Sequence, residues 1–346
     1  MDATLTDRAA PVTEADAERI AREHWGVEAT ARRVAGEKDD NFVLGAPAPR
    51  FVLKVVHPAE PPAVTDFCTA LYVALGDVGD VPTEALVPTA AGRPDVLVDG
   101  PDGRARRARM TTFLEGRLLR DVPSTPALRE ALGRLLARLG RALATLPAPP
   151  APRPLLWDLW QADRVTPMLD ELGDLPDRPW LVDCLERFAA DTRPRLAGLR
   201  RQLVHNDLSA DNVFVARDGT TIAGIIDFGD VLVTQLVNDV AIAMTSQLDA
   251  GGDPLGRAAD LLAGYHAVTP LTRAEVELLY DLVRVRVATR LVISEWRART
   301  HPENRAYILR NTPLAWAQAA ALPASGAGAA SRRLLTACDL IREDGG

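Results

Sequence analysis

Two apolar runs of strand-forming residues, Val213-Phe-Val-Ala216 and Thr221-Ile-Ala-Gly-Ile-Ile226, flank Arg217-Asp-Gly-Thr220. Asp-Gly between such runs is a strong hairpin signal, because both residues tolerate the positive φ that a tight turn demands. Folding the chain about that turn carries Asp227, just past the second run, back beside residues 210–212. Asn212 and Asp227 are therefore expected at the open end of one hairpin. Asp207, in Val204-His-Asn-Asp-Leu-Ser-Ala-Asp-Asn212, lies one short loop upstream. Two oxygen ligands with a further carboxylate nearby match what Mg²⁺ and phosphate require, since Mg²⁺ takes hard oxygen donors and few of them from protein.

The chain has 346 residues, long for one core and comfortable for two lobes. Apolar residues at 47% and charged residues at 25% mark a globular protein rather than a disordered one. A net charge of −7 argues against a general nucleic-acid or anionic-membrane surface. Cys68, Cys184 and Cys338 lie far apart, without metal-type spacing, which fits a reduced cytoplasmic protein. No apolar run reaches membrane-spanning length, and the polar, acidic N-terminus is unlike a signal peptide. Monomer and homodimer both remain open. Lysine occurs only at 38 and 54, against 38 arginines. Lys54 sits inside the apolar run Phe51-Val-Leu-Lys-Val-Val56, where strand alternation sets it opposite Leu53 and Val55.

Capping and periodicity give the remaining elements. Thr13, Asp16 and Gly26 bracket a helix over 13–25. Strands are expected at 41–44 and 50–56, joined by Gly45-Ala-Pro-Ala-Pro49, then at 84–88, 95–98 and 106–114, with a helix over 63–76. The leucine stripe from Leu128 to Leu146 predicts a packed helix over 126–146, opened by Thr125-Pro126. A stiff Pro147–Pro154 connector follows, and Trp157 and Trp160 read as packing residues. Further helices are expected over 181–199, 237–248, 257–266 and 273–299, the last opened by the capping box Thr272–Glu275. A loose tail over 323–330 then precedes a short helix at 331–342.

The spacing His205-Asn-Asp207-Leu-Ser-Ala-Asp-Asn212, followed by Ile225-Ile-Asp227-Phe-Gly-Asp230, resembles the kinase set of catalytic-loop Asp, Asn five residues on, and metal-binding Asp of D-F-G. With H-x-D in place of H-R-D, the chain resembles the aminoglycoside phosphotransferase and choline kinase superfamily. Gly36-Glu-Lys-Asp-Asp-Asn-Phe42, Phe51-Val-Leu-Lys54 and His301-Pro-Glu-Asn-Arg-Ala-Tyr307 are similar to the hydroxylysine kinase branch. The resemblance implies an α+β, bilobal protein-kinase-like fold: a small β-rich N-terminal nucleotide lobe over 1–113 and a larger, mostly helical C-terminal lobe over 114–346, with the hinge near 111–116.

It also implies roles. Asp207 would take or orient the acceptor hydroxyl's proton, with His205 bracing the loop. Asn212 and Asp227 would hold one or two Mg²⁺ ions, and Lys54 would contact the phosphates of ATP or GTP. Asn41, Thr111 and Phe113 would line the nucleotide, and Asp66, on the helix after Lys54, is the candidate ion-pair partner of that lysine. Asp239 is expected to fix the helix that follows. For the acceptor, Arg286 and Arg290, one helical turn apart, would clamp a carboxylate. Asp230, Glu295 and Glu303 would suit a polycation instead. The resulting expectation is a kinase of a hydroxylated amino acid such as hydroxylysine. The alternatives are an antibiotic-modifying O-phosphotransferase acting on an aminoglycoside or nucleoside drug, and a catalytically silent nucleotide-binding module.

Overall fold

The computed structural model describes residues 7, 9–34, 36, 38–45, 48–76, 79, 81–149, 152–323 and 326–341. Parts of the expected 45–49 turn, the 147–154 connector, the 36–42 stretch and the 323–342 tail lie outside them. The chain divides into two compact units. The first runs to Gly116 and also takes residues 223–229; the second takes 117–148, 152–222 and 230 onward.

The first unit is β-rich, and its elements follow from local signals. Helix α1 (Glu14–Trp25) opens on the expected capping box, with Thr13 and Asp16 bonding each other's backbone, and closes on Gly26 at φ 66°. Strands β1 (Ala31–Val34), β2 (Asp40–Leu44) and β3 (Phe51–Val55) precede helix α2 (Pro62–Gly76). Strands β4 (Leu86–Val87), β5 (Val96–Asp99) and β6 (Ala105–Thr112) follow. All pairings are antiparallel, in the order β1-β2-β3-β6-β4, with β5 also on β6. Ile20, Trp25, Phe42, Leu44, Leu53, Val55 and Met110 form the core behind the sheet. Burying Leu53 and Val55 turns Lys54 to the opposite face, between Asn41 on β2 and Arg109 on β6. The strand expected at 84–88 shrinks to two residues. Ala85 N–H donates to the Thr112 hydroxyl (2.9 Å) rather than to a strand carbonyl, which ends the ladder there.

The second unit is mostly helical. It begins with β7 (Arg117–Leu118) and α3 (Pro126–Ala144), followed by α4 (Thr166–Glu171), α5 (Arg178–Arg187) and α6 (Arg193–Leu196). Strands β8 (Arg201–Val204), β9 (Val213–Val215), β10 (Ile222–Ile225) and β11 (Leu232–Gln235) come next; β10 passes into the first unit at residue 223. The rest is α7 (Leu236–Thr245), α8 (Gly256–Val268), α9 (Arg273–Thr300), α10 (Arg305–Ile308), α11 (Thr312–Ala321) and α12 (Ala327–Ala337). The stripe of α3 is buried from Leu128 to Leu143 and packs on α8. The helices approach so closely that a Cβ on Gly133 would fall 1.9 Å from the Leu261 carbonyl, and one on Gly264 2.1 Å from that of Glu130.

The helix expected over 181–199 starts earlier, where Asp177 caps Trp180 N–H ahead of Pro179, and passes through a π turn at Phe188–Thr192. Part of the expected loose tail is helical. Residues 327–330 belong to α12, which buries Leu334 and Leu335 and packs on α9. Together the units have the expected α+β class, one β-rich and one helix-rich. No described helix is long and apolar enough to cross a membrane.

Candidate active site

In the second unit the pairing of β8 with β11 positions the histidine-containing loop. Register Val204↔Leu232 sets the end of β8 beside the strand that leads into α7. From the first turn of α7, Asp239 reaches back and accepts the N–H groups of His205 (3.2 Å) and Asn206 (2.8 Å). Asp239 was expected to serve the helix; its carboxylate binds the preceding loop instead. Burial raises its pKa to about 6, against the lowering pull of the two N–H donors and Arg286. Asn206 turns the chain at φ 64°, a left-handed conformation that Asn tolerates better than most residues. His205 is fully buried, and its Nδ1 accepts the Asp207 N–H (3.3 Å), so the ring braces the loop as expected.

That bracing leaves the Asp207 carboxylate between two donors. Asn212 Nδ2 reaches its Oδ2 at 2.7 Å and its main-chain carbonyl at 2.8 Å. On the other oxygen, Oδ1, Arg286 Nη2 stands at 3.4 Å. Arg286 also donates to the Trp157 carbonyl (3.1 Å) and lies over that indole at 5.5 Å. Arg290 is half-buried one turn further along α9. Burial, then the charge of Arg286, lowers its pKa to about 10, and among the described residues no carboxylate forms an ion pair with it.

Residues 223–229 belong to the first unit, where Ile225 N–H donates to the Pro82 carbonyl (3.0 Å). Lys54 Nζ meets Asp227 Oδ1 at 2.9 Å and Asp39 Oδ2 at 3.8 Å. Burial alone would lower the lysine pKa, but these two carboxylates raise it above the ordinary value, so the ammonium stays charged. Asp66 is not the partner of Lys54. It faces outward on α2 and pairs with Arg107, which also binds Asp95 (2.8 Å). Phe228 is buried edge-on against Tyr72 of α2, ring centroids 5.5 Å apart. Asp227 itself adopts φ 63°.

A family model described as the phosphotransferase enzyme family (APH) matches residues 30–279, well over half of the chain. The chain belongs to the phosphotransferase enzyme family. Bovine (Bos taurus) hydroxylysine kinase is 26% identical over 233 residues, 64% of this chain and 62% of that protein; the match thus spans a little under two thirds of the relative's length. A homoserine kinase of Gluconacetobacter diazotrophicus is 31% identical over 287 residues, covering 81% of this chain and 84% of that one. Among solved structures, the microcompartment-associated aminopropanol kinase superposes with a TM-score of 0.58 at 20% identity, covering 94% and 95% of the two chains. That last likeness is one of fold. The family that the chain belongs to is one of phosphotransferase enzymes.

The family's use of Mg²⁺ and a nucleoside triphosphate can be tested on the donor atoms. Asn212 spends its amide nitrogen on Asp207, which turns its Oδ1 the other way. Asp227 has a half-exposed carboxylate. Each is a hard oxygen donor of the kind that Mg²⁺ takes. Among the described residues no cluster of three His, Cys, Asp or Glu could hold a metal.

The other expected residues scatter more widely. Asn41 donates to the Asp39 carbonyl (3.3 Å) and keeps a buried Oδ1 without a hydrogen-bond partner. The Thr111 hydroxyl donates to Glu84 (2.7 Å), and Phe113 N–H to the Arg50 carbonyl (2.9 Å). Asp230 and Glu295 are half-buried, on the short 3₁₀ turn Phe228–Asp230 and on α9 respectively. Glu303 lies 3.4 Å from His301. Asp39, Tyr72 and Glu84 were not singled out from the sequence. The one available signal was Glu84, an acid inside the otherwise apolar stretch Ala85-Leu-Val87 that it opens.

Proposed function

We propose that this phosphotransferase moves the γ-phosphate of ATP or GTP to the side-chain hydroxyl of a small amino acid, with hydroxylysine the leading acceptor. The observation that carries the reading is the double hold on Asp207, from Asn212 on one oxygen and Arg286 on the other. Such a carboxylate is fixed in direction, as a group that must orient an attacking hydroxyl needs to be. The names of the two relatives, hydroxylysine kinase and homoserine kinase, share one acceptor class, an amino acid bearing a hydroxyl.

In this reading the acceptor oxygen bonds to the γ-phosphorus as the bond to the β-phosphate oxygen breaks and the nucleoside diphosphate leaves. The hydroxyl proton passes to Asp207 and then to solvent. Lys54 binds the donor's phosphates; Asn41, Thr111 and Phe113 line the nucleotide. Asn212 and Asp227 are the residues that would hold Mg²⁺, which neutralises charge developing on the phosphates. Arg290, which forms no ion pair among the described residues, takes the acceptor's carboxylate, with Arg286 adding positive charge next to it. Asp230 and Glu295 are left for the acceptor's ammonium group.

Coupled detection of ADP and GDP release, over a panel of hydroxylysine, homoserine, aminoglycosides and nucleosides, tests this. Turnover is expected with a hydroxy-amino acid. Turnover confined to an aminoglycoside or nucleoside would replace the reading with antibiotic modification. Tight nucleotide binding without turnover on any acceptor would favour a silent binding module.

A further inference from the structure

Buried in the first unit is a carboxylate that the proposed chemistry does not use directly. Glu84 is 8% exposed and gathers three donors from three separate parts of the fold. The Tyr72 hydroxyl of α2 donates to its Oε1 at 2.6 Å, and the Thr111 hydroxyl of β6 donates to its Oε2 at 2.7 Å. The third is the backbone N–H of Asp227, which reaches Oε1 at 3.2 Å. Tyr72 closes the ring: having given its proton to Glu84, its oxygen accepts the next N–H, that of Phe228, at 3.5 Å.

The location of these bonds matters more than their number. Asp227 is a non-glycine residue at φ 63°, a conformation that costs on the order of 1 kcal/mol and persists only where its surroundings impose it. The Asp227 N–H is held by Glu84, the next N–H by Tyr72, and the following one, of Gly229, by the Asp227 carboxylate itself (3.2 Å). Cys68 Sγ lies 3.8 Å from the Phe228 carbonyl, and Phe228 packs against the Tyr72 ring. Three successive N–H groups of the bend and the Phe228 carbonyl thus face Glu84, α2 or the Asp227 carboxylate. Lys54, meanwhile, draws its charge partners from Asp227 and Asp39, and α2 supplies no acid to it.

We infer that Glu84, through Tyr72, is the positioning residue that fixes the backbone of Asp227 and so aims its carboxylate at the metal–nucleotide complex. The inference rests on the metal role proposed for Asp227. Glu84 touches neither nucleotide nor metal; it acts through the bend it holds. In Glu84→Gln one acceptor oxygen becomes an amide donor of similar shape, which must face a hydroxyl or the Asp227 N–H. Tyr72→Phe keeps the ring packing and removes only the bridging hydroxyl.

The test is a Mg²⁺ titration of fluorescent ATP- and GTP-analogue binding to the full chain, beside thermal unfolding of each variant. Glu84→Gln should raise the Mg²⁺ concentration for half-maximal nucleotide binding about tenfold, the range typical of lost outer-shell support. Nucleotide binding in EDTA should stay within twofold of the parent. Tyr72→Phe, which cannot fail by burying an amide against a donor, should shift the Mg²⁺ midpoint the same way by about threefold, for one lost neutral hydrogen bond. Mg²⁺ midpoints unchanged in Tyr72→Phe, and in Glu84→Gln where it folds, would reduce the network to a purely structural one and overturn the inference. A parent protein whose nucleotide binding ignores Mg²⁺ would overturn the metal reading of Asp227, and the positioning role with it.

Discussion

Two short segments of this phosphotransferase solve one backbone problem with different chemistry. Asn206, in the loop after β8, and Asp227, after β10, both turn the chain in the left-handed region, at φ 64° and 63°. Each bend is held by a buried carboxylate that accepts main-chain N–H groups. In the second unit Asp239 accepts two of them and, among the described residues, no hydroxyl. In the first, Glu84 accepts one, and its other two donors are the rotatable hydroxyls of Tyr72 and Thr111. A bend whose acid holds fixed main-chain amides is rigid. A bend held through hydroxyls can redistribute its bonds, a property suited to the metal-binding role proposed for Asp227.

That division gives the two loops separable tasks, and substitutions should separate them. Asp207→Asn leaves Asn212 and Arg286, both donors, facing an amide with one acceptor oxygen. Turnover should fall by about 10³-fold, within the span of a lost acid–base group, while nucleotide binding in fluorescence titration stays near that of the parent. Near-parental turnover would remove Asp207 from the chemistry. Asp227→Ala should do the reverse: Mg²⁺-dependent nucleotide affinity drops on the order of 100-fold, and metal-free binding weakens far less. Equal affinity with and without Mg²⁺ in the parent and in this variant would dissolve the contrast between the loops.

The parts of this site that could be read in the sequence are those whose spacing is set along the chain. Asp207 and Asn212 stand five residues apart on one loop, and Asp218-Gly219 announces the turn that follows. The Asp218 carboxylate binds the N–H groups of Thr220 and Thr221 at 2.8 and 2.9 Å, a purely local arrangement. Caps at Thr13, Thr125 and Thr272 were legible for the same reason. Glu84 was not, because its partners meet it only after folding: Asp227 lies 143 residues away. Asp66 misled because it sits on the helix next in sequence to Lys54, whereas its face of α2 looks toward Arg107 on β6. Strands β8 and β11 are four residues each, too short to show alternation, yet their pairing sets the loop beside Asp239. Helix α11, rich in alanine, has too weak an apolar stripe to stand out; Pro313 near its start was its main mark.

Stability should sharpen the comparison further. Asp239→Ala strips two buried main-chain N–H groups of their acceptor, each at about 1–3 kcal/mol, so a loss of about 2–6 kcal/mol is expected. Glu84→Ala also frees three donors, but two are hydroxyls able to turn toward other oxygens or water. Its loss should be smaller than that of Asp239→Ala when both are measured by urea unfolding. The reverse order would mean that the hydroxyl-mediated bend is the more rigid of the two.

A further effect concerns pH. Two N–H donors favour the Asp239 anion and burial opposes it; burial prevails, and the folded-state pKa rises from 3.8 to about 6. Folding therefore prefers the protonated acid. The stability this group contributes is complete below pH 3.8, and it is lost as pH climbs through about 6. Asp239→Asn does not titrate, so the difference in unfolding free energy, parent minus variant, isolates this carboxyl. It should shrink between about pH 4 and pH 7 and level off above, by an amount of order 3 kcal/mol at about 1.4 kcal/mol for each step of one in pKa. Melting curves of both proteins from pH 4 to 8 would show it. A difference that grows with pH would mean that the two N–H groups outweigh burial, making the loop after β8 a site built to hold an anion.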